Sequence, residues 1–137
     1  MFEELIRAAA QGKTGAVIQM IKAGADVDFE GRMGWTPLRS AIGADRYHCV
    51  RVLVRAGADI HRVVLGHTAL AFAVDTSIDA TIQTNGLPGD EPTDVIRFLL
   101  KSGADPEPGL RVARLYKSER ILGLIAAWAR GERSESL

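Results

Sequence analysis

Apolar residues recur along this chain with the spacing expected of α-helices. Three stretches share one pattern of apolar and polar positions, and a Gly-Ala-Asp tripeptide follows each of them: residues 17–21, 50–54 and 96–100. The tripeptides begin at Gly24, Gly57 and Gly103, so the second interval is longer than the first. Glycine directly after a helix adopts the left-handed conformation that ends it. The pattern therefore predicts repeated helices closed by turns.

The start of one helix carries an equally clear signal. Thr36 is a residue type that caps helix N-termini, and Pro37 suits the first helical position because its missing N–H has no partner there. One unit is therefore a turn, a helix, a short loop and a second helix. A single helix pair leaves its apolar face uncovered, so stacked copies must supply the core. The sequence thus predicts an all-α repeat fold.

These features together resemble the ankyrin repeat family. The resemblance rests on the 33-residue period, the Gly-Trp-Thr-Pro-Leu motif of residues 34–38 and the recurring Gly-Ala-Asp, and it extends over roughly residues 1–130. It implies an ankyrin-repeat solenoid of about four helix-turn-helix units with short β-turn fingers, followed by a flexible polar tail at residues 131–137. Arg39 stands where the family usually has histidine, which is expected to remove one side-chain hydrogen bond.

Alignment of the units predicts an insertion in the third of them. The four units span residues 1–28, 29–61, 62–107 and 108–129. Ile42 and Val50 of the second unit correspond to Val74 and Ile96 of the third, which lie much further apart, so 14 extra residues join the helices of the third unit. The segment 75–92 contains Asn-Gly and Leu-Pro-Gly turn signals and is expected to form a loop. Two interpretations of this loop stay open, a mobile surface connection and a segment that contacts a partner.

Charge is balanced over the whole chain but not along it. The 17 basic and 17 acidic residues give a formal net charge of zero, which argues against a nucleic-acid binder, because such proteins carry an excess of basic charge. Residues 63–96 hold five acidic residues and no Lys or Arg, a local net charge of −5. Such a region attracts a basic protein surface, which is the partner chemistry that we expect.

Residue patterns that indicate catalysis or metal binding are sparse. A single cysteine, Cys49, excludes a disulfide framework, and its apolar helix position predicts a buried thiol. Gly12-Lys13-Thr14 resembles the end of a phosphate-binding loop, but Arg7 stands where that motif needs glycine, so residues 12–15 are expected to form a helix-to-helix turn. The histidines lack a metal-ligand spacing, and no catalytic constellation is recognisable. We therefore expect no enzyme activity, no cofactor and no metal site.

Two further patterns bear on location. No run of 18 apolar residues is present, and the acidic N-terminus, Met1-Phe2-Glu3-Glu4, lacks the basic-then-apolar order of a signal peptide. We therefore expect a cytoplasmic protein. The resemblance to small stand-alone ankyrin-like chains implies a bacterial type.

The resemblance also implies where a partner binds. Ankyrin-like proteins bind partners through the tips of their turns and the adjoining first helices, which form a concave face. We transfer these binding positions to this chain by aligning its units with the family repeat, and we add the acidic residues of the insertion. The expected partner-binding residues are then Glu30, Arg32, Met33, Trp35, Arg39, Val63, Val64, Leu65, His67, Asp75, Asp79, Asp90 and Glu91.

Trp35 is the favoured contact among these residues, because aromatic side chains dominate interface energies. The alternative is that its ring packs on the neighbouring turn. Residues 63–65 likewise either cover the core or form an exposed apolar patch, and Val-Val-Leu is unusual for a turn tip. If binding is their role, Trp35→Ala combined with Val64→Asp abolishes partner binding and leaves the melting temperature nearly unchanged.

The expected function is non-catalytic protein–protein binding, most concretely the inhibition or sequestration of a cognate protein in the manner of an immunity protein. Two alternatives stay open: a regulatory adaptor that recruits a target without inhibiting it, and a small-molecule sensor that uses the turn at residues 12–15. The apolar last helix, residues 121–128, leaves open both a monomer and a weak homodimer.

Overall fold

A computed structural model of the protein describes residues 2–83 and 92–132. Within these residues the chain is helical, and the only β-type pairing is an isolated bridge between Val64 and His67. A single turn of 3₁₀ helix covers Arg32–Gly34. The all-α prediction is therefore confirmed. The α-helices of the described residues are α1 (Phe2–Gln11), α2 (Thr14–Lys22), α3 (Pro37–Gly43), α4 (Tyr47–Arg55), α5 (Ala69–Gln83), α6 (Asp94–Lys101), α7 (Pro106–Leu115) and α8 (Glu119–Ala129).

The fold divides into two compact units between Ala69 and Leu70. In the first unit α1 packs on α2 and α3, and α4 packs on the same two helices. In the second unit α7 packs on α8, and α5 closely approaches α7 at Gly109, where a Cβ would lie 3.0 Å from Leu70 Cγ. Each unit has a core of side chains at helical spacing, among them Leu5, Val17, Leu38, Val50 and Leu53 in the first and Leu70, Val74, Ile96, Leu99, Ile121 and Ile125 in the second.

The three Gly-Ala-Asp tripeptides form the same turn. Their glycines have φ values of +97°, +104° and +101°, so each ends its helix in the left-handed conformation, as predicted. Each aspartate then accepts a hydrogen bond from the backbone N–H two residues later. The N···O distances are 2.9 Å for Asp26, 2.9 Å for Asp59 and 3.1 Å for Asp105. The repeated motif is therefore a repeated backbone device that turns the chain out of a helix.

Helix starts also follow the sequence signals. Thr36 Oγ1 accepts a hydrogen bond from the Arg39 N–H at 3.1 Å, and Pro37 takes the first helical position. In the last unit Asp105 caps α7 directly, with Pro106 in the first turn, so no finger separates α6 from α7. The last unit therefore begins two residues before the predicted Pro108.

The predicted loop of the third unit is wrong for its first half. Helix α5 is 15 residues long, whereas its counterpart α3 has 7, so residues 75–83 are helical. This stretch contains neither Gly nor Pro to end the helix, and it buries Ile78. Thr81 Oγ1 donates to the Ser77 carbonyl at 3.1 Å, and Ser77 Oγ donates to the Pro92 carbonyl, where the chain returns. The predicted turn signals between residues 84 and 91 lie outside the described residues.

Candidate protein-binding surface

The first finger of the first unit ends in a tight turn. The Gly31 N–H donates to the Trp35 carbonyl at 2.7 Å, and the Trp35 N–H donates to the Arg32 carbonyl at 3.2 Å. Between them lie two successive left-handed residues, Met33 with φ +60° and Gly34 with φ +80°. The Met33 side chain makes little contact with the fold, since 78% of its surface is exposed.

The second finger repeats this geometry. Val64 and His67 exchange two backbone hydrogen bonds, at 2.9 and 3.1 Å. The two residues between them are again left-handed, Leu65 with φ +51° and Gly66 with φ +85°. Two successive positive φ angles are the signature of a type I′ turn, the tightest link of a hairpin. Leu65 is 66% exposed and Val63, on the other side of Val64, is 64% exposed.

Met33 and Leu65 are chemically unusual at these positions. A left-handed conformation brings Cβ against the backbone carbonyl and costs roughly 1–2 kcal/mol for most residues, which is why Asn, Asp or Gly is expected there. Neither side chain offsets this cost by packing, because both are mainly in solvent. We use the name finger surface for the three exposed apolar residues of the two tips, Met33, Val63 and Leu65.

Arg39 connects the two fingers and lies against the Trp35 ring. Trp35 is half-buried, and the Arg39 guanidinium lies 5.1 Å from its ring centroid. Arg39 Nη1 also donates to the Val64 carbonyl at 3.0 Å. Arg39 therefore supplies a hydrogen bond of its own to the next finger, in the place where the family usually has histidine.

Val64 also belongs to the framework of the fingers. Its side chain is half-buried, and Cγ1 would lie 3.1 Å from a Cβ on Gly34. The prediction that Trp35→Ala with Val64→Asp leaves stability nearly unchanged does not agree with this packing. Trp35 is half-buried against the Arg39 guanidinium, and whether its ring also packs on the neighbouring finger stays a prediction. Replacements that isolate binding must instead be made in the finger surface.

Polar residues surround the base of the fingers. Glu30 and Arg32 are exposed, His67 is half-buried, and Glu30 Oε2 lies 4.0 Å from Arg62 Nη2. Arg62 Nη1 donates to the Asp28 carbonyl at 3.0 Å, while Asp28 Oδ1 accepts from the Asp59 N–H at 2.9 Å. The two turns are thus connected by charge-assisted bonds, which hold the fingers in register.

The acidic residues of the insertion lie on a helix of the second unit. Asp75 and Asp79 are one turn apart on α5, with Asp75 half-buried and Asp79 exposed, whereas Asp90 and Glu91 lie outside the described residues. The negative charge of Asp75, and next the hydrogen bond that the Tyr116 hydroxyl donates to it, raise the pKa of Tyr116 above its usual 10.0. Slight desolvation and the charge of Asp79 act in the same direction. Sequence reasoning did not find Tyr116, because it lies far from Asp75 along the chain and no local pattern connects the two.

Cys49 and the turn at residues 12–15 are the groups whose chemistry the sequence brought into question. Cys49 is buried, and its Sγ lies 3.5 Å from Thr14 Oγ1. Gly12 has φ +74° in the α1–α2 turn, as predicted, and the Arg46 side chain covers it while donating through Nε to the Ala10 carbonyl at 3.1 Å. No group of three or more metal-ligating side chains comes together in 2–83 and 92–132. In the same part of the chain, no helix has the length and apolar character needed to cross a bilayer.

Helix pairs joined by exposed hairpin-like fingers define the class of this protein as a helical repeat protein. A family model described as ankyrin repeats, in three copies, matches residues 5–109, and the chain belongs to the ankyrin repeat family. It is also similar to the mouse (Mus musculus) 2-5A-dependent ribonuclease, with 42% identity over 59 residues. That match covers 42% of this chain but only 8% of the relative. Ankyrin repeats are generally protein–protein interaction modules, and the family is typically non-catalytic.

Proposed function

We propose that this protein binds a cognate protein through its finger surface and thereby inhibits or sequesters it, as an immunity protein does with a toxin. The observation that carries this proposal is the placement of Met33 and Leu65, two large apolar side chains held in solvent by left-handed backbone. A residue that raises the conformational free energy of its backbone and makes no packing contacts in return is typical of functional sites, where function determines the residue type.

The energetics of the finger surface suit a binding role. Burying an exposed side chain of this size contributes about 1.5–3 kcal/mol, and interfaces concentrate their energy in a few such anchors. The framework beneath the anchors is rigid, because backbone hydrogen bonds close both fingers and Arg39 connects them. A partner therefore meets preorganised side chains and loses little entropy in ordering them.

The acidic residues indicate the charge of the partner. Asp75 and Asp79 lie on α5, and with Asp90 and Glu91 they belong to the stretch 63–96, which has no Lys or Arg. We infer that they attract a basic protein surface and raise the rate of association more than the affinity. The cytoplasmic, bacterial setting stays a prediction from the sequence.

The ribonuclease activity and 2-5A dependence named for the mouse relative do not transfer to this chain. The similarity covers only 8% of that protein, which is too little to carry over the activity of the whole relative. The sensor alternative placed a ligand in the turn at residues 12–15. The Arg46 side chain lies over Gly12 in that turn, so this alternative gains no support.

The proposal is tested by the activity of the captured partner. The protein is used as bait in a lysate of its source organism, and the retained protein is purified and assayed with increasing amounts of wild type or of Met33→Asn/Leu65→Asn. An inhibitor abolishes the partner's activity at one equivalent, and the variant does so only at much higher concentration. A partner that stays fully active when saturated would instead identify an adaptor.

A further inference from the structure

Three large apolar side chains of the second unit lie exposed, on other elements than the fingers. Leu115 is 75% exposed, Ile82 is 63% exposed and Tyr116 is 47% exposed. Leu115 ends α7, Tyr116 follows it directly, and Ile82 lies one residue before the end of α5. Single apolar residues on a surface are ordinary, whereas a group of them marks a contact site, so their arrangement decides their meaning.

Tyr116 joins the end of α7 to one face of α5. Its hydroxyl donates a hydrogen bond to Asp75, and the charge of Asp79 acts on the same hydroxyl. Residues 75, 79 and 82 follow one another at helical spacing and therefore lie along one stripe of α5. The stripe carries two carboxylates and Ile82, and Tyr116 lies beside it with Leu115 next to it in the chain. We use the name α5–α7 patch for these five residues.

The second half of α5 is the part of the insertion that the structure describes. Helix α5 has 15 residues and its counterpart α3 has 7, so Asp79 and Ile82 lie on a segment that the second repeat unit lacks. One face of this segment is held by the buried Ile78 and Thr81. The other face presents Ile82 to solvent, where an amphipathic helix normally has a polar residue. Core packing therefore does not account for the exposed face.

The α5–α7 patch is electronegative. No Lys or Arg lies on α5. Of the cations on the other side of the patch, Arg114 pairs with Glu107 at 3.4 Å, and Lys117 follows Tyr116. The pKa of Tyr116 is nevertheless raised, with the charge of Asp75 as the largest cause, so the carboxylates outweigh these cations at the centre of the patch. A basic surface is the complement of such a patch.

We propose that the α5–α7 patch binds a basic amphipathic segment of a partner protein, which carries apolar and Lys or Arg side chains on one face. The apolar side chains of that segment cover the three exposed apolar residues, and its cations meet the two carboxylates. Tyrosine often supplies much of the binding energy of an interface, and the bond to Asp75 orders Tyr116 before the partner arrives. The inference deepens the proposed function and rests on it, since that function already assigns a basic partner.

Fluorescence anisotropy with the full chain tests the patch. The probe is a labelled peptide of leucine and lysine, patterned as an amphipathic helix, and its counterpart has glutamate in place of every lysine. We expect saturable binding of the lysine peptide that weakens as sodium chloride is added, and no saturable binding of the glutamate peptide. Leu115→Gln/Tyr116→Gln should weaken binding about tenfold or more, because two apolar anchors are lost. Asp79→Asn should weaken it less and reduce its salt dependence.

Two variants of the first unit are matched controls. Met33→Asn/Leu65→Asn removes two exposed apolar side chains from the fingers, and Glu4→Gln removes an exposed carboxylate from α1. Circular dichroism verifies that each variant is folded, and both controls are expected to bind the lysine peptide like the wild type.

The proposal is wrong if the wild type shows no saturable binding of the lysine peptide, or binds the glutamate peptide equally well. It is also wrong if the patch variants bind like the wild type, or if the controls weaken binding as much as the patch variants do. Each of these failures leaves capture of a partner by the fingers untouched, so it is distinguishable from a failure of the proposed function.

Discussion

Replacing Met33 and Leu65 by asparagine separates the backbone geometry of the fingers from their role in binding. Asparagine tolerates the left-handed conformation better than methionine or leucine, because its short polar side chain can form local hydrogen bonds. The side chains removed are 78% and 66% exposed, so little packing is lost. The double variant should therefore be more stable than the wild type while it loses its partner.

The expected increase in stability follows from the conformational free energy that the left-handed residues cost the wild type. If asparagine recovers about half of a penalty of roughly 1–2 kcal/mol, each substitution raises the free energy of unfolding by about 0.5–1 kcal/mol. The two φ angles lie in separate turns, so the effects should add to about 1–2 kcal/mol. For a chain of this size that corresponds to an increase of roughly 4–8 °C in melting temperature. Loss of two apolar anchors should weaken partner binding about a hundredfold.

Thermal and urea denaturation followed by circular dichroism measures the stability change. Lys117→Asn is the matched control, because Lys117 is an exposed residue with φ +56° that lies in the α7–α8 turn. It should gain similar stability and bind the partner like the wild type. Met33→Ala/Leu65→Ala keeps the backbone cost, so it should lose binding without gaining stability. If the asparagine variant is less stable while Lys117→Asn is more stable, Met33 and Leu65 are packing residues and the argument fails.

Three further results are expected. Trp35→Ala should lower the free energy of unfolding, measured in urea, by about 1–3 kcal/mol, since it removes a half-buried ring and its contact with the Arg39 guanidinium. An unchanged free energy of unfolding would show that the ring does not support the fingers. In a spectroscopic pH titration the Tyr116 phenol should ionise above pH 10.0, and Asp75→Asn should lower the pKa of Tyr116. The stabilisation of the fold that is linked to this shift is present below pH 10.0 and is lost as the pH rises through the raised pKa. Identical titration curves for wild type and Asp75→Asn would contradict the contact between Tyr116 and Asp75. Gly57→Ala should destabilise the fold by roughly 1–2 kcal/mol, because φ at Gly57 is +104°. Gly15→Ala, in α2 with open space around its Cβ, should be neutral or stabilising by up to about 1 kcal/mol. Equal changes in melting temperature for the two variants would exclude the left-handed conformation as the reason for glycine at position 57.

Features that depend on a few neighbouring residues were predictable from the sequence. The left-handed glycines, the aspartate turns and the Thr36 cap each rest on atoms within a single turn of chain, and the structure confirms the predicted turns and the cap. The helical extension at residues 75–83 was not predictable in the same way. Its charged and polar residues are compatible with both a loop and a helix, and the anchoring bond from Ser77 reaches Pro92, 15 residues later.

The candidate sites depend on contacts between distant segments. Arg39 bonds the Val64 carbonyl 25 residues away, so its role in joining the fingers leaves no local signal. By contrast, the unusual Val-Val-Leu tip was visible in the sequence, because type I′ turns favour Asn and Gly at their centre.

The most direct test of the central claim is the affinity of the purified partner for wild type, Met33→Asn/Leu65→Asn and Lys117→Asn, measured side by side by isothermal titration calorimetry. We expect one partner bound at one equivalent, about a hundredfold weaker binding by the finger variant, and wild-type affinity for Lys117→Asn. Equal affinity for all three would contradict the claim that the finger surface is where this protein binds its partner.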